Sequence, residues 1–207
     1  QGEQHAQYNL GAMYGQGHGV DVNYKKAIEW YEKAAKQGLA QAQFKLGILF
    51  ATGQGVDVNY KKAFEWYEKA AEQGYADAQY NVGVMYCHGM GVDVNYKKAI
   101  EWFEKAAKQG HADAQYNVGV MYDHGRGVDQ SDSMAMRWYA KAAAQGYEQA
   151  QAQISIILAR RRASSVAEAS SASVGGQEEV DPEEKGDKNT KKKKKGKSKK
   201  NRSSRRN

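Results

Sequence analysis

The chain has 207 residues, a length that fits one ordinary domain, and a formal net charge of +7. Residues 163–207 hold 13 Lys/Arg against 7 Asp/Glu, whereas residues 1–162 hold 18 against 17, so the basic character belongs to the tail and overall charge gives no argument for nucleic-acid binding by the first 162 residues. The single cysteine, Cys87, excludes an intramolecular disulfide, and no apolar run approaches the ~20 residues that span a bilayer.

Gln1 and Gly2 align with Gln37 and Gly38 and read as the close of an earlier repeat, so a fragment or processed chain is expected. From Gly19 to Gly38 the chain reads GVDVNYKKAIEWYEKAAKQG. That stretch returns at Gly55–Gly74 and Gly91–Gly110, and more loosely at Gly127–Gly146. Trp30, Trp66, Trp102 and Trp138 stand 36 residues apart, as do Gly11, Gly47, Gly83 and Gly119. A fixed period of this size signals a solenoid.

Each period holds two helical patterns. In the second copy the first runs from about Leu39 to about Thr52, with Ala42, Leu46, Gly47 and Phe50 on one face. Glycine inside a helix costs ~1 kcal/mol against alanine, so its recurrence demands a closely packed neighbour. Gly53 and Gly55 then turn the chain, with positive φ expected. The second pattern runs from about Tyr60 to Gln73. Asn59 is its N-cap, repeated by Asn23 and Asn95 and replaced by Ser131 in the fourth copy. Ala63, Trp66, Tyr67, Ala70 and Ala71 form the expected buried stripe. Glu29–Lys33, Glu32–Lys36, Glu65–Lys69, Glu101–Lys105 and Glu104–Lys108 are spaced to pair on a solvated outer face.

A ninth helix, about 147–162, repeats the first pattern with Ile154 for the usual Leu/Val and Ser155 for the glycine, as a terminal capping helix should. Arg160, Arg161 and Arg162 are expected in its last turn, at the negative end of the helix dipole. From about Ala163 the pattern stops. A Ser/Ala-rich stretch gives way to the acidic segment 175–184 and then to residues 188–207, with twelve Lys/Arg and no acid. Residues 163–207 hold few large apolar groups and are expected to be disordered.

The repeat AxAxxxLGxxYxxGxGVxxNxxKAxxWYxKAAxxG is met in the third copy as Ala76, Ala78, Val82, Gly83, Tyr86, Gly89, Gly91, Val92, Asn95, Lys98, Ala99, Trp102, Phe103, Lys105, Ala106, Ala107 and Gly110. It resembles the Sel-one-like repeat, a relative of the tetratricopeptide repeat. The likeness divides the chain at about 3–38, 39–74, 75–110 and 111–146, with the capping helix at 147–162. Departures are Phe103 for Tyr, Asn for Asp at the cap, and the looser fourth copy. The resemblance implies an all-α, right-handed α/α superhelical solenoid and a non-enzymatic adaptor or scaffold for other proteins or peptides. Some bacterial relatives are described as β-lactamases, which offers a hydrolase as the alternative. Those relatives have paired cysteines in each repeat, and this chain has one.

Among side chains that carry chemistry, the Trp/Tyr pair of each second helix reads as core rather than a ligand cage. His88, beside Cys87, and His124 lie one repeat apart, about 10 Å at the usual helix spacing, too far to share an ion. No metal or cofactor is expected. Sequence variation between copies marks a stripe on the first helices: His5, Asn9, Ala12 and Gln16, then Gln41, Lys45, Ile48 and Thr52. It continues as Asp77, Asn81, Val84 and His88, then Asp113, Asn117, Val120 and His124. In the resembled superhelix first helices line the concave side. The stripe reads either as a groove for an extended peptide or as a solvated helix face.

The lysine run, Lys191, Lys192, Lys193, Lys194, Lys195, Lys197, Lys199 and Lys200, reads as a nuclear or nucleolar signal, as a contact for RNA or acidic lipid, or as a solubilising end. It lacks interleaved aromatics for base stacking. Arg161-Arg162-Ala163-Ser164 resembles a basophilic kinase target, with Ser164 the acceptor. A cytoplasmic protein is expected, with nuclear entry through the tail as a further expectation.

Overall fold

The computed structural model describes residues 2–174, of which 170–174 by backbone alone. The described residues form nine α-helices and no strand: α1 (Gly2–Gln16), α2 (Tyr24–Lys36), α3 (Ala40–Thr52), α4 (Tyr60–Glu72), α5 (Ala76–His88), α6 (Tyr96–Lys108), α7 (Ala112–His124), α8 (Asp132–Ala143) and α9 (Glu148–Val174). Odd-numbered helices up to α7 are the first helices of four repeats, and even-numbered helices are the second. The result is an all-α solenoid of 36-residue repeats.

The ends of the helices follow from single residues. Asn23, Asn59 and Asn95 accept from the backbone N–H of Lys26, Lys62 and Lys98 at 2.9–3.0 Å, and Ser131 accepts from Met134 at 3.3 Å. These bonds satisfy amides that a helix start leaves without partners. The first helices stop at Gly53, Gly89 and Gly125, whose φ values of +71°, +68° and +63° suit glycine.

The recurrent glycine inside each first helix has its packing reason. A Cβ on Gly47 would lie 2.4 Å from the Tyr67 ring, and on Gly83 2.6 Å from the Phe103 ring. Gly11 and Gly119 face Tyr31 and Tyr139 in the same way. Each repeat therefore closes by pressing an aromatic ring of its second helix onto the bare backbone of its first. The later glycine of the turn joins successive repeats, since a Cβ on Gly91 would meet the Tyr60 backbone at 2.5 Å.

A buried glutamine ladder also ties the repeats together. Gln43, Gln79 and Gln115, each 5 % exposed, donate to the carbonyls of Ala35, Ala71 and Ala107 at 3.1–3.2 Å. They accept in turn from Gln73, Gln109 and Gln145 at 2.7–2.8 Å. Each buried glutamine thus adds a second donor to a carbonyl at the end of the preceding second helix, which also accepts from the backbone N–H of Gly38, Gly74 or Gly110, and its own carbonyl is not left bare.

Several expectations need correction. The buried stripe is centred on Tyr67 and its counterparts. Tyr31, Tyr67, Phe103 and Tyr139 are at most 5 % exposed, whereas Trp30, Trp66 and Trp102 are half-buried and only Trp138 is fully buried. Lys33, Lys69, Lys105 and Lys141 lie 3.7–4.4 Å from the centroids of the four tryptophan rings. This explains a second difference. Glu32–Lys36 and Glu104–Lys108 form ion pairs, but Lys33, Lys69 and Lys105 turn to the indole three residues earlier, where the ring quadrupole attracts a cation.

The ninth helix does not stop at Arg162. It runs to Val174 because residues 163–174 are rich in alanine and hold neither Gly nor Pro, and because Ser164 and Ser165 return their hydroxyls to the carbonyls of Arg160 and Arg162. Arg160 is consequently not a last-turn residue. Its Nη2 pairs with Asp123, buried in α7, at 2.8 Å, and also with Asp132 of α8. The chain divides into two compact units, 1–165 and 166–207. The acidic segment and the lysine run lie outside the described residues.

Candidate partner-binding groove

The first helices position the variable stripe at every fourth or third residue, so its members share one side of each helix. Asn9, Gln41, Asp77, His88 and His124 are exposed, and Lys45, Asn81, Asp113 and Asn117 are half-buried. Some of these side chains are held by their own helix. Asn81 Nδ2 donates to the Asp77 carbonyl at 2.7 Å, and His124 Nδ1 lies 3.0 Å from the Val120 carbonyl. Asp77 also lies 3.5 Å from His111 Nε2, and the His111 ring stacks on Tyr80 at a centroid distance of 4.7 Å.

The stripe is not uniform, because a cavity of about 440 Å³ opens between α5 and α7. Phe103 and Met121, 2 % and 3 % exposed, form its base. Tyr80, Val84, Cys87, Asn117 and Val120 are its half-buried walls, and the exposed His88, Tyr96 and Arg126 stand at its rim. The corresponding space between α1 and α3 is only about 130 Å³ and is lined by counterparts two repeats earlier, including Lys45, Ile48 and Gln54. Of the candidates named from sequence, His88 and Asn117 meet at the larger cavity, and Lys45 lines the smaller. Asn9, Gln41, Asp77, Asn81, Asp113 and His124 line neither.

Electrostatics set this cavity apart. Burial pushes the Cys87 thiol up, and the nearby Arg126 guanidinium opposes that shift. Burial likewise raises Tyr80, with the Asp113 charge adding to it and a hydrogen bond from Asn117 working against it. The Arg126 guanidinium lies 5.9 Å from the Tyr96 ring centroid. Sequence reasoning passed over Arg126 and Tyr96. The signal was present: Arg126 fills the middle of a Gly-x-Gly turn where the other copies carry His18, Gln54 and Met90, but the turn reads as punctuation.

Ser164 is exposed on α9, with its hydroxyl donating to the Arg160 carbonyl at 3.2 Å. The lysines from Lys191 onward lie outside the described residues. Among the described residues no helix is long and apolar enough to cross a membrane, and no three His, Cys, Asp or Glu side chains gather as metal ligands do.

Comparison with known proteins places this geometry in context. The family model for the Sel1 repeat matches residues 4–39, 40–75, 76–111 and 112–147. A Sel1 repeat protein from Oxalobacter formigenes is 39% identical with a TM-score of 0.71, over 73% of this chain and 62% of that one. A protective antigen of uropathogenic Escherichia coli strains that displays an SLR fold is 40% identical with a TM-score of 0.73, over 74% of this chain and 33% of that one. Cysteine rich protein B of Helicobacter pylori is 25% identical with a TM-score of 0.50, over 62% and 92%. The chain thus spans less than two thirds of the length of the first two structures. No curated protein is matched.

Proposed function

Because the chain belongs to the Sel1 repeat family, whose members are generally non-enzymatic protein-interaction scaffolds, we propose that it binds partner proteins through the face made by its first helices. The partner segment is an extended peptide laid across successive repeats on the concave side. One observation carries this reading. Gly11, Gly47, Gly83 and Gly119, which close the repeats, stay fixed between copies, while the first-helix stripe changes over the first three copies, from Asn9 to Lys45 to Asn81 and from Ala12 to Ile48 to Val84, and is kept in the fourth as Asn117 and Val120. Constancy serves packing, and variation at half-buried positions over a cavity serves recognition. Panning a displayed peptide library against the full chain tests it. Enriched peptides should slow amide exchange in α3, α5 and α7. No enrichment over unfolded protein, or protection confined to the second helices, overturns the reading.

For the tail we infer a separate contact with polyanions, supported by the twelve cations of residues 188–207 against a near-neutral repeat region. Neutralised phosphates release counterions, so affinity for RNA should fall linearly with salt on logarithmic axes. Replacing Lys191–Lys195 by Gln in the full chain should flatten that slope and disperse any nuclear enrichment of a fluorescent fusion. An unchanged slope removes the tail from this role.

A further inference from the structure

We propose that the cavity between α5 and α7 is an anchor subsite for an acidic peptide. It takes a large apolar side chain over Phe103 and Met121 and an adjacent carboxylate at Arg126 and Asn117. The proposal rests on the scaffold reading above and adds what the groove selects.

Three observations point the same way. The first is size. At about 440 Å³ the cavity falls in the ~300–1,000 Å³ range of ligand pockets, whereas its counterpart between α1 and α3 holds about 130 Å³. The larger space has a buried aromatic and thioether base, which suits an aromatic or long aliphatic side chain.

The second is charge. Arg126 is exposed at the rim, rests near the Tyr96 ring, and pairs with no carboxylate of residues 2–165. A guanidinium is always charged and its planar fork matches a carboxylate with two parallel hydrogen bonds. Its counterparts His18, Gln54 and Met90 have no such fork, so this preference belongs to one position along the array.

The third is a neutral donor on the opposite wall. Asn117, half-buried in α7, replaces the Lys45 of the smaller cavity. An amide N–H donates to a carboxylate without imposing a second charge, so the guanidinium alone fixes the sign of the ligand. The subsite is therefore apolar at its base and anion-selective at one side of its mouth.

Cys87 provides a direct readout, since it lines the cavity and is the chain's one cysteine. The full chain is panned with a displayed random peptide library. Peptides that protect Cys87 from iodoacetamide are expected to carry Asp or Glu beside an aromatic or large aliphatic residue. Their affinity for Arg126→Glu should drop about ten- to a hundredfold, the effect of losing a charge-assisted pair, while Arg126→Lys keeps part of it. Val120→Trp should fill the cavity and abolish both binding and Cys87 protection. Arg126 is exposed, so its variants test the proposal even if Val120→Trp fails to fold. Peptides that protect the first helices but lack acidic residues, leave Cys87 reactive, or bind Arg126→Glu unchanged overturn this proposal and leave the scaffold reading standing. Failure to recover any peptide on the first helices overturns both.

Discussion

A methyl group on Gly83 would stand 2.6 Å from Cδ1 of Phe103, so the third repeat closes only because this helix position has no side chain. Overpacking of this kind costs ~1–3 kcal/mol, and the better helix propensity of alanine returns at most ~1 kcal/mol. Gly83→Ala should therefore lower stability by about 1–2 kcal/mol in a denaturant melt. Combining it with Phe103→Leu should recover part of that loss, and equal loss in the single and double variants would disprove the contact.

Trp66 and Tyr67 are adjacent in sequence and unequal in depth. Tyr67→Ala removes a side chain that is 4 % exposed and should cost ~3–5 kcal/mol, as for large core aromatics. Trp66→Ala removes a half-buried ring and the perch of Lys69, and should cost about 2 kcal/mol. Thermal melts of the two variants decide the order.

The glutamine ladder predicts a loss that crosses repeat boundaries. Gln79→Ala removes one donor from the Ala71 carbonyl, which keeps the Gly74 N–H, and one acceptor from the Gln109 amide, which keeps the Gly74 carbonyl, so the loss should be that of ordinary hydrogen bonds, ~0.5–1.5 kcal/mol each. Neighbouring repeats share stability through their interfaces, so the melt should broaden as well as shift. A narrower transition would show that the ladder does not couple repeats.

Asp123 is 5 % exposed and relies on Arg160. Arg160→Ala leaves that carboxylate buried without its cation and should cost ~1–3 kcal/mol. Asp123→Ala/Arg160→Ala, which restores the alanine that repeat two carries at Ala51, should be more stable than Arg160→Ala alone. Amide exchange in α9 before Ser165 reads the difference, and additive losses would exclude the coupling.

Alkaline pH should weaken the array. Burial, with the charge of Tyr8 adding to it, pushes the Tyr31 phenol up to about 12 from the ordinary 10.0. Tyr67 and Tyr139 are also raised, by burial first and in Tyr139 by the charge of Asp123 as well. The unfolded chain loses these protons first, so the stabilisation is complete below pH 10 and disappears as pH climbs through about 12. Ultraviolet titration should show exposed tyrosines ionising ahead of this buried set. Ionisation of all tyrosines in one step, with the helices intact, would contradict it.

Much of the architecture is legible before any coordinates. The 36-residue period sets the repeats, Asn59 and its counterparts start the second helices, and Gly53 and its counterparts end the first. These features are local: a cap or a left-handed glycine acts within one turn, so its residue type carries the information. The first-helix stripe is also legible, because copies of one unit can be compared within one chain.

Depth and long-range pairing were decided by tertiary structure. Residues 66 and 67 differ by about 100° around a helix, and both fall on a broad apolar face. Only the approach of Gly47 selects Tyr67 as the buried member. Gln43 looks like a surface residue until Ala35 and Gln73 are brought to it from different helices. Arg160 fits a helix end by sequence and finds Asp123 across 37 residues instead. Arg126 looks like a turn residue until α5 and α7 separate enough to open a cavity beneath it. Periodicity gives an angle on one helix, whereas burial, pairing and cavity volume depend on the distance to the next helix.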